Sequence, residues 1–156
     1  MIDLARIAAV IGVLSTGVVY GTDVFCALVQ RPALGRVDDR ALTAVMGNVH
    51  FYGDRRMPIP GALGIAAAVT CAALAAVAGR WVGAVAATVA VGLLIAWTVL
   101  YGRVSAPINR KLAAAAASGD VPANVRVLQG NWDRVITTRA VLQGLAVAAF
   151  CVTLLA

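Results

Sequence analysis

Apolar residues fall into four long blocks, and charged residues gather between them. The first block, residues 4–29, is broken only by small or hydroxyl residues, Arg6, Tyr20 and Asp23, and is followed by Gln30, Arg31 and Pro32. Proline cannot supply an N–H to a continuing helix, so Pro32 is read as its stop. The second block, residues 59–78, starts at the Pro58/Pro60 pair, where proline suits a first helical turn. Gly79 and Arg80 form a short turn into the third block, residues 81–101. The fourth block, residues 135–156, carries Arg139 and Gln143 near its start. Residues 59–78 contain no charge, and between positions 82 and 100 the only polar groups are two threonines and the Trp97 indole. A helix of a soluble bundle keeps a polar face, whereas these are apolar all round. Each block has roughly the 20 residues needed to cross a bilayer. The pattern predicts an all-α polytopic membrane protein: one domain over residues 1–156, a four-transmembrane-helix bundle with short cytoplasmic interfacial helices.

The connecting segments have a helical rhythm of their own. Leu42, Val45, Met46, Val49 and Tyr52 recur like one face of a helix, which predicts an amphipathic helix lying on the membrane surface, capped by Asp38 or Asp39. After the third block, Pro107 is expected to open a second short helix that Gly119 ends. Asp120 is then expected to cap a long final helix with Pro122 in its first turn.

Composition sharpens this picture. The chain has 156 residues, 62% of them hydrophobic and 13% charged, against about 45–50% and about 25% in ordinary soluble domains. Of the 13 Lys and Arg, all but Arg6 and Arg80 lie in or beside the two long connections. The positive-inside rule therefore places those connections in the cytoplasm and both termini outside, in a multi-pass protein of the cell membrane. The net charge of +6 thus reflects topology, and no groove-reading or aromatic-interleaved basic surface suggests a nucleic-acid partner. The expected partner is the lipid bilayer, and a homo-oligomer is allowed. A cleaved secretory signal is a poor reading of the first block, which is too long for an h-region and lacks a small-x-small site. Cys26, Cys71 and Cys151 sit singly in different blocks, so neither C-x-x-C chemistry nor metal-ligand spacing is present. Gly17-x-x-x-Gly21 and Gly79-x-x-x-Gly83 predict close helix contacts within the bundle.

Candidate chemistry concentrates at one depth. Asp23 is the only acidic residue inside a block, and an intramembrane charge is a functional candidate by default. Val125, Leu128, Trp132, Val135 and Arg139 repeat at three and four, and residues seven apart share a helix face to within about 20°. Trp132 and Arg139 are therefore expected to point inward together, with Asp23 as the partner of Arg139. The pair reads equally as a site or as an ion pair joining the first and last helices. His50, the sole histidine, reads first as an interfacial residue and second as a base.

The stretches Pro107-Ile108-Asn109-Arg110-Lys111-Leu112, Asn131-Trp132-Asp133-Arg134 and Thr138-Arg139-Ala140 resemble the signature of the DUF1772, or anthrone oxygenase-like, family. Val29-Gln30-Arg31-Pro32-Ala33-Leu34 and Asp54-Arg55-Arg56-Met57-Pro58 are similar to that family's first half, so the resemblance covers nearly the whole chain. It implies a small four-span membrane protein, some of whose relatives oxidise anthrones to anthraquinones with dioxygen and without an evident metal or flavin, while many have no assigned activity; the reading drawn from it is a membrane-embedded small-molecule oxidoreductase. Asn109, Trp132 and Arg139 fit its motif positions; His50 and Asp23 do not derive from it. That chemistry needs a base, here Asp23 or His50, and donors for an oxyanion, here Arg139, Asn109 and Trp132. Tyr20, Trp97 and Tyr101 are expected to line a pocket for a small hydrophobic or aromatic molecule.

Other classes compete with this reading. A noncatalytic protein binding a small hydrophobic ligand, or a structural subunit, fits every feature above. A transporter would use Asp23 as its carboxylate, but its usual internal repeat is not evident. A haem protein would need paired axial ligands that a single histidine does not supply.

Overall fold

The computed structural model describes residues 2–156 and is helical almost throughout. Helix α1 (Ile2–Phe25) runs through a π-helical turn, Cys26–Gln30, into α2 (Arg31–Leu34). Then come α3 (Asp39–Arg56), α4 (Pro58–Val77) and α5 (Trp81–Leu100). A second π-helical turn, Tyr101–Ser105, leads into α6 (Ala106–Ser118), and α7 (Val125–Leu155) completes the fold. Among the described residues, four continuous helices are long and apolar enough to cross a membrane, so the protein is a multi-pass membrane protein. In the bundle α1 packs on α4 and α7, and α5 packs on the same two helices, closing a four-membered ring.

The ring is held by small side chains. Ala8, Ala9, Ala67, Ala68, Ala87 and Ala90 fill its interior around Cys71, Leu94 and Phe150. With lipid outside, packing rather than water exclusion holds such helices together, and short side chains let backbones approach. Of the glycines singled out in the sequence, only Gly83 behaves this way: a Cβ there would touch Ala75 at 3.6 Å. Gly17 and Gly21 face open space, contrary to expectation. Their spacing matches the motif, but the close crossings fall at Gly12 against Phe150, Gly64 against Thr16 and Gly144 against Tyr20.

The connections depart from the expected layout in one respect that matters for function. The amphipathic helix forms where the periodicity placed it, and Asp38 caps it through Ala41 N–H at 2.7 Å. It is not a separate element. Met57 keeps a right-handed helical backbone, so α3 prolongs α4, just as α6 prolongs α5 through the π-helical turn. Pro32 likewise does not end the first helix, because it occupies an early position of α2, where its missing N–H costs nothing. Helix α7 is 31 residues long, about 46 Å at 1.5 Å per residue, against a hydrocarbon core of about 30 Å. The helices are thus longer than the hydrocarbon core is thick, and at one end of the bundle α3 and α6 pack on each other. Leu42, Met46, Ile108, Leu112, Val125, Leu128, Trp132 and Ile136 form a second core there. The buried face of α3 is Leu42, Thr43, Met46, Gly47 and His50, whereas Val45, Val49 and Tyr52 are exposed. Gly119 ends α6 with φ +74°, as expected of a glycine cap. Pro122 and Asp120 precede α7 rather than opening it: its cap is Asn124, and Asp120 accepts a bond from the Ser118 hydroxyl.

Gly47 sets the α3–α6 spacing, since a Cβ there would lie 2.5 Å from the Leu112 carbonyl oxygen. Gly47→Ala is expected to pry these helices apart at a cost of about 1–3 kcal/mol. A melting temperature in detergent equal to that of the unchanged protein would show that the contact is not needed.

Candidate functional site

At the level where α3 and α6 leave the bundle, a cavity of about 310 Å³ lies among the helices. Helix α1 contributes Val19, Thr22 and Asp23; α3 contributes His50 and Asp54; α4 contributes Gly61 and Ile65. Trp97, Tyr101, Asn109, Trp132 and Arg139 close the remaining walls. Its size is at the lower end for small-molecule sites, which are typically apolar with a few convergent polar groups.

The best-anchored of those groups is the pair foreseen from sequence. Arg139 Nη2 donates to Asp23 Oδ1 at 2.7 Å, and both residues are buried. Arg139 Nη1 donates to the Ser105 hydroxyl at 2.9 Å, and Trp97 Nε1 donates to the second carboxylate oxygen of Asp23 at 2.9 Å. The guanidinium also lies 5.1 Å from the Trp97 ring centroid and 5.5 Å from those of Tyr101 and Trp132. Trp97 and Tyr101 are stacked with planes 3° apart. The cation is thus held by one carboxylate, one hydroxyl and a wall of aromatic faces, an arrangement strengthened by exclusion of water. Ser105 reaches Arg139 from the π-helical turn, whose extra residue re-aims the side chains beyond it.

A second polar group escaped the sequence reading. Asp54 Oδ1 accepts from the Tyr101 hydroxyl and from Asn109 Nδ2, each at 2.7 Å. Asp54 stands in the charged run Asp54-Arg55-Arg56, where a carboxylate looks like a solvated surface group. Its position depends on α3 rising along the bundle axis, which the periodicity alone does not reveal. Ser105 was equally inconspicuous among the chain's scattered hydroxyls.

The third feature is a set of buried polar atoms without partners. His50 Nε2, Trp132 Nε1, Asn109 Oδ1, Arg139 Nε and Gln30 Oε1 all belong to residues lining the cavity, and none has a hydrogen-bond partner. Such atoms carry a desolvation cost that a bound polar group would relieve. The His50 and Trp132 ring centroids lie 5.4 Å apart, with the ring planes tilted by 49°. His50 is therefore a buried wall residue, 5% exposed, rather than the interfacial side chain first expected.

Seven of the eight residues proposed from sequence meet here: Asp23, His50, Arg139, Trp97, Tyr101, Asn109 and Trp132 line the cavity. Tyr20 does not. Its ring lies beside Gly144 on α7, away from the cavity, because glycine leaves room for the ring there. Among the described residues, no group of three or more His, Cys, Asp and Glu side chains is placed to hold a metal ion. Comparison of the chain with family models, with curated proteins and with solved structures finds no match.

Proposed function

We propose that the cavity binds a flat, apolar aromatic ketone and that the protein oxidises it with dioxygen, as the resemblance to the anthrone oxygenase-like family implies. The observation that carries this reading is that residues lining a mainly apolar cavity, His50 and Trp132 above all, hold buried polar atoms without partners. In an anthrone, the methylene opposite the ketone on the central ring is acidic, because its anion is conjugated through the aryl rings to the ketone oxygen. His50 takes one of its protons, and Trp132 N–H and Arg139 Nε–H stabilise the oxyanion that develops on the ketone oxygen. Asp23 is the weaker choice of base, since both its oxygens already accept bonds. The electron-rich carbanion adds dioxygen at the same carbon to give a hydroperoxide. Loss of the second C–H proton with cleavage of the O–O bond forms the new carbonyl and releases water. One dioxygen is consumed per anthrone: one oxygen atom enters the quinone, the other leaves as water, and no outside reductant is needed.

The test is oxygen uptake by the protein in detergent on addition of anthrone. The expected result is one dioxygen consumed and one anthraquinone formed per anthrone, faster than the spontaneous reaction. Uptake no faster than without protein, despite saturable binding, would favour a noncatalytic ligand-binding role for the same cavity.

The charge distribution supports an orientation. The α3/α6 end and the adjoining loops carry all the Lys and Arg except Arg6 and Arg80, so this end is cytoplasmic and the Gly79–Arg80 turn external. In a variant whose native cysteines are replaced by alanine, a cysteine at Ala78 should react with an impermeant thiol reagent on intact cells. A cysteine at Asp120 should not. The reverse labelling would overturn the orientation.

A further inference from the structure

Although the cavity lies inside the bundle, part of its lining is exposed. Thr22 on α1 and Pro58 and Ala62 on α4 belong to both the cavity wall and the outer surface. Between them lies Gly61, where an added Cβ would meet nothing within 4 Å. The same is true of Gly53, a cavity residue two helical turns earlier on the α3–α4 rod. Glycine inside a helix is less favourable than alanine. Here it keeps open a space that no neighbouring helix fills. The Thr22 hydroxyl donates to its own helix, at the Val18 carbonyl 2.9 Å away, so it asks nothing of a passing molecule. Around this opening Val18, Phe25, Leu28, Ile59 and Leu63 all present exposed apolar side chains, and both flanking helices are of membrane-spanning character. Such an apolar rim suits contact with acyl chains. On the other side, His50, Asp54 and Tyr101 separate the cavity from a groove between α3 and α6 that is lined by Arg55, Arg110 and alanines. In that wall Asp54 is tied to Tyr101 and Asn109.

We infer that the cavity is loaded sideways from the bilayer, through a window between α1 and α4 rimmed by Thr22, Pro58, Gly61 and Ala62. Its ligand class is accordingly a neutral aromatic molecule dissolved in lipid, not a water-borne anion guided by the arginines of the groove. This inference rests on the reading that the cavity holds a flat apolar ligand. An apolar solute concentrates in the hydrocarbon phase, and a passage whose polar groups are already satisfied opposes it with no desolvation barrier.

The experiment uses the full chain in phosphatidylcholine vesicles, with Trp81→Phe so that emission comes from the cavity tryptophans Trp97 and Trp132. Vesicles loaded with anthraquinone, a neutral quencher, are mixed with these and the quenching is followed in time. Ala62→Phe, which narrows the window, should slow quenching by about tenfold or more while the final amplitude is retained. In the groove, Ala114→Phe should match the starting protein. Slowing by Ala114→Phe but not by Ala62→Phe would overturn the window and place access in the groove. Equal rates in all variants would overturn it as well while leaving the binding site intact. Absence of saturable quenching in the starting protein would remove the ligand site itself, and the window with it.

Discussion

Arg139→Gln is expected to lower the melting temperature in detergent on the order of 10 °C, the consequence of losing about 3–5 kcal/mol when one member of a buried ion pair is removed. Asp23 is 2% exposed, and its charge is met by one guanidinium and one indole N–H. Glutamine can offer an amide N–H but no charge, and it abandons the Ser105 hydroxyl and the three aromatic faces around the cation. The loss is therefore of fold before it is of chemistry. Asp23→Asn combined with Arg139→Gln should recover much of the stability, because the stranded carboxylate is gone, without restoring oxygen uptake. A single Arg139→Gln variant that melts like the unchanged protein and oxidises anthrone at the same rate would show that the pair matters to neither.

His50→Gln should behave in the opposite way. His50 makes no hydrogen bond through Nε2, so replacing the ring with an amide of similar reach disturbs little and should leave the melting temperature within a few degrees. If His50 removes the methylene proton, kcat should fall by about 10²- to 10⁴-fold, the usual contribution of a positioned base. KM should change much less, since the apolar walls that hold the rings are untouched. Oxygen uptake and anthraquinone absorbance measured on the same preparation read both quantities. Retained kcat in a folded variant would rule out His50 as the base and leave the cavity carboxylates Asp23 and Asp54 for that role.

Much of the fold was legible because bilayer crossing leaves so few choices. Uncharged blocks of membrane length can only be spanning helices, and Gly79 marks the turn between two of them by backbone geometry alone. Asp23 and Arg139 were legible for the same reason: a charge in an apolar block must find its opposite, and only these two lay at matching depth. What stayed hidden depended on directions that periodicity does not fix. Leu42, Val45, Met46, Val49 and Tyr52 announced an amphipathic helix at α3, but not that its buried face would run through Leu42, Met46 and His50 and meet α6. That outcome turned on the helical backbone of Met57, which makes one rod of two predicted helices. That same uncertainty concealed Asp54, and it made His50 look peripheral. Tyr20 was misplaced because aromatic residues near an intramembrane charge look like pocket walls, while the space it fills was created by a glycine on the last helix.

The two π-helical turns, Cys26–Gln30 and Tyr101–Ser105, hold a different kind of information. A turn closed over five residues holds one residue more than α-helical winding would place there, and one residue corresponds to about 100° of rotation about the axis. Asn109 and Ser105 reach their partners only because that surplus residue sets the phase of α6 relative to α5. Chain length at this point is thus a geometric parameter of the site. Removing a single residue such as Gly102, itself in contact with nothing that a Cβ would touch, would turn the Asn109 face of α6 away from Asp54 while leaving the composition of every helix essentially unchanged.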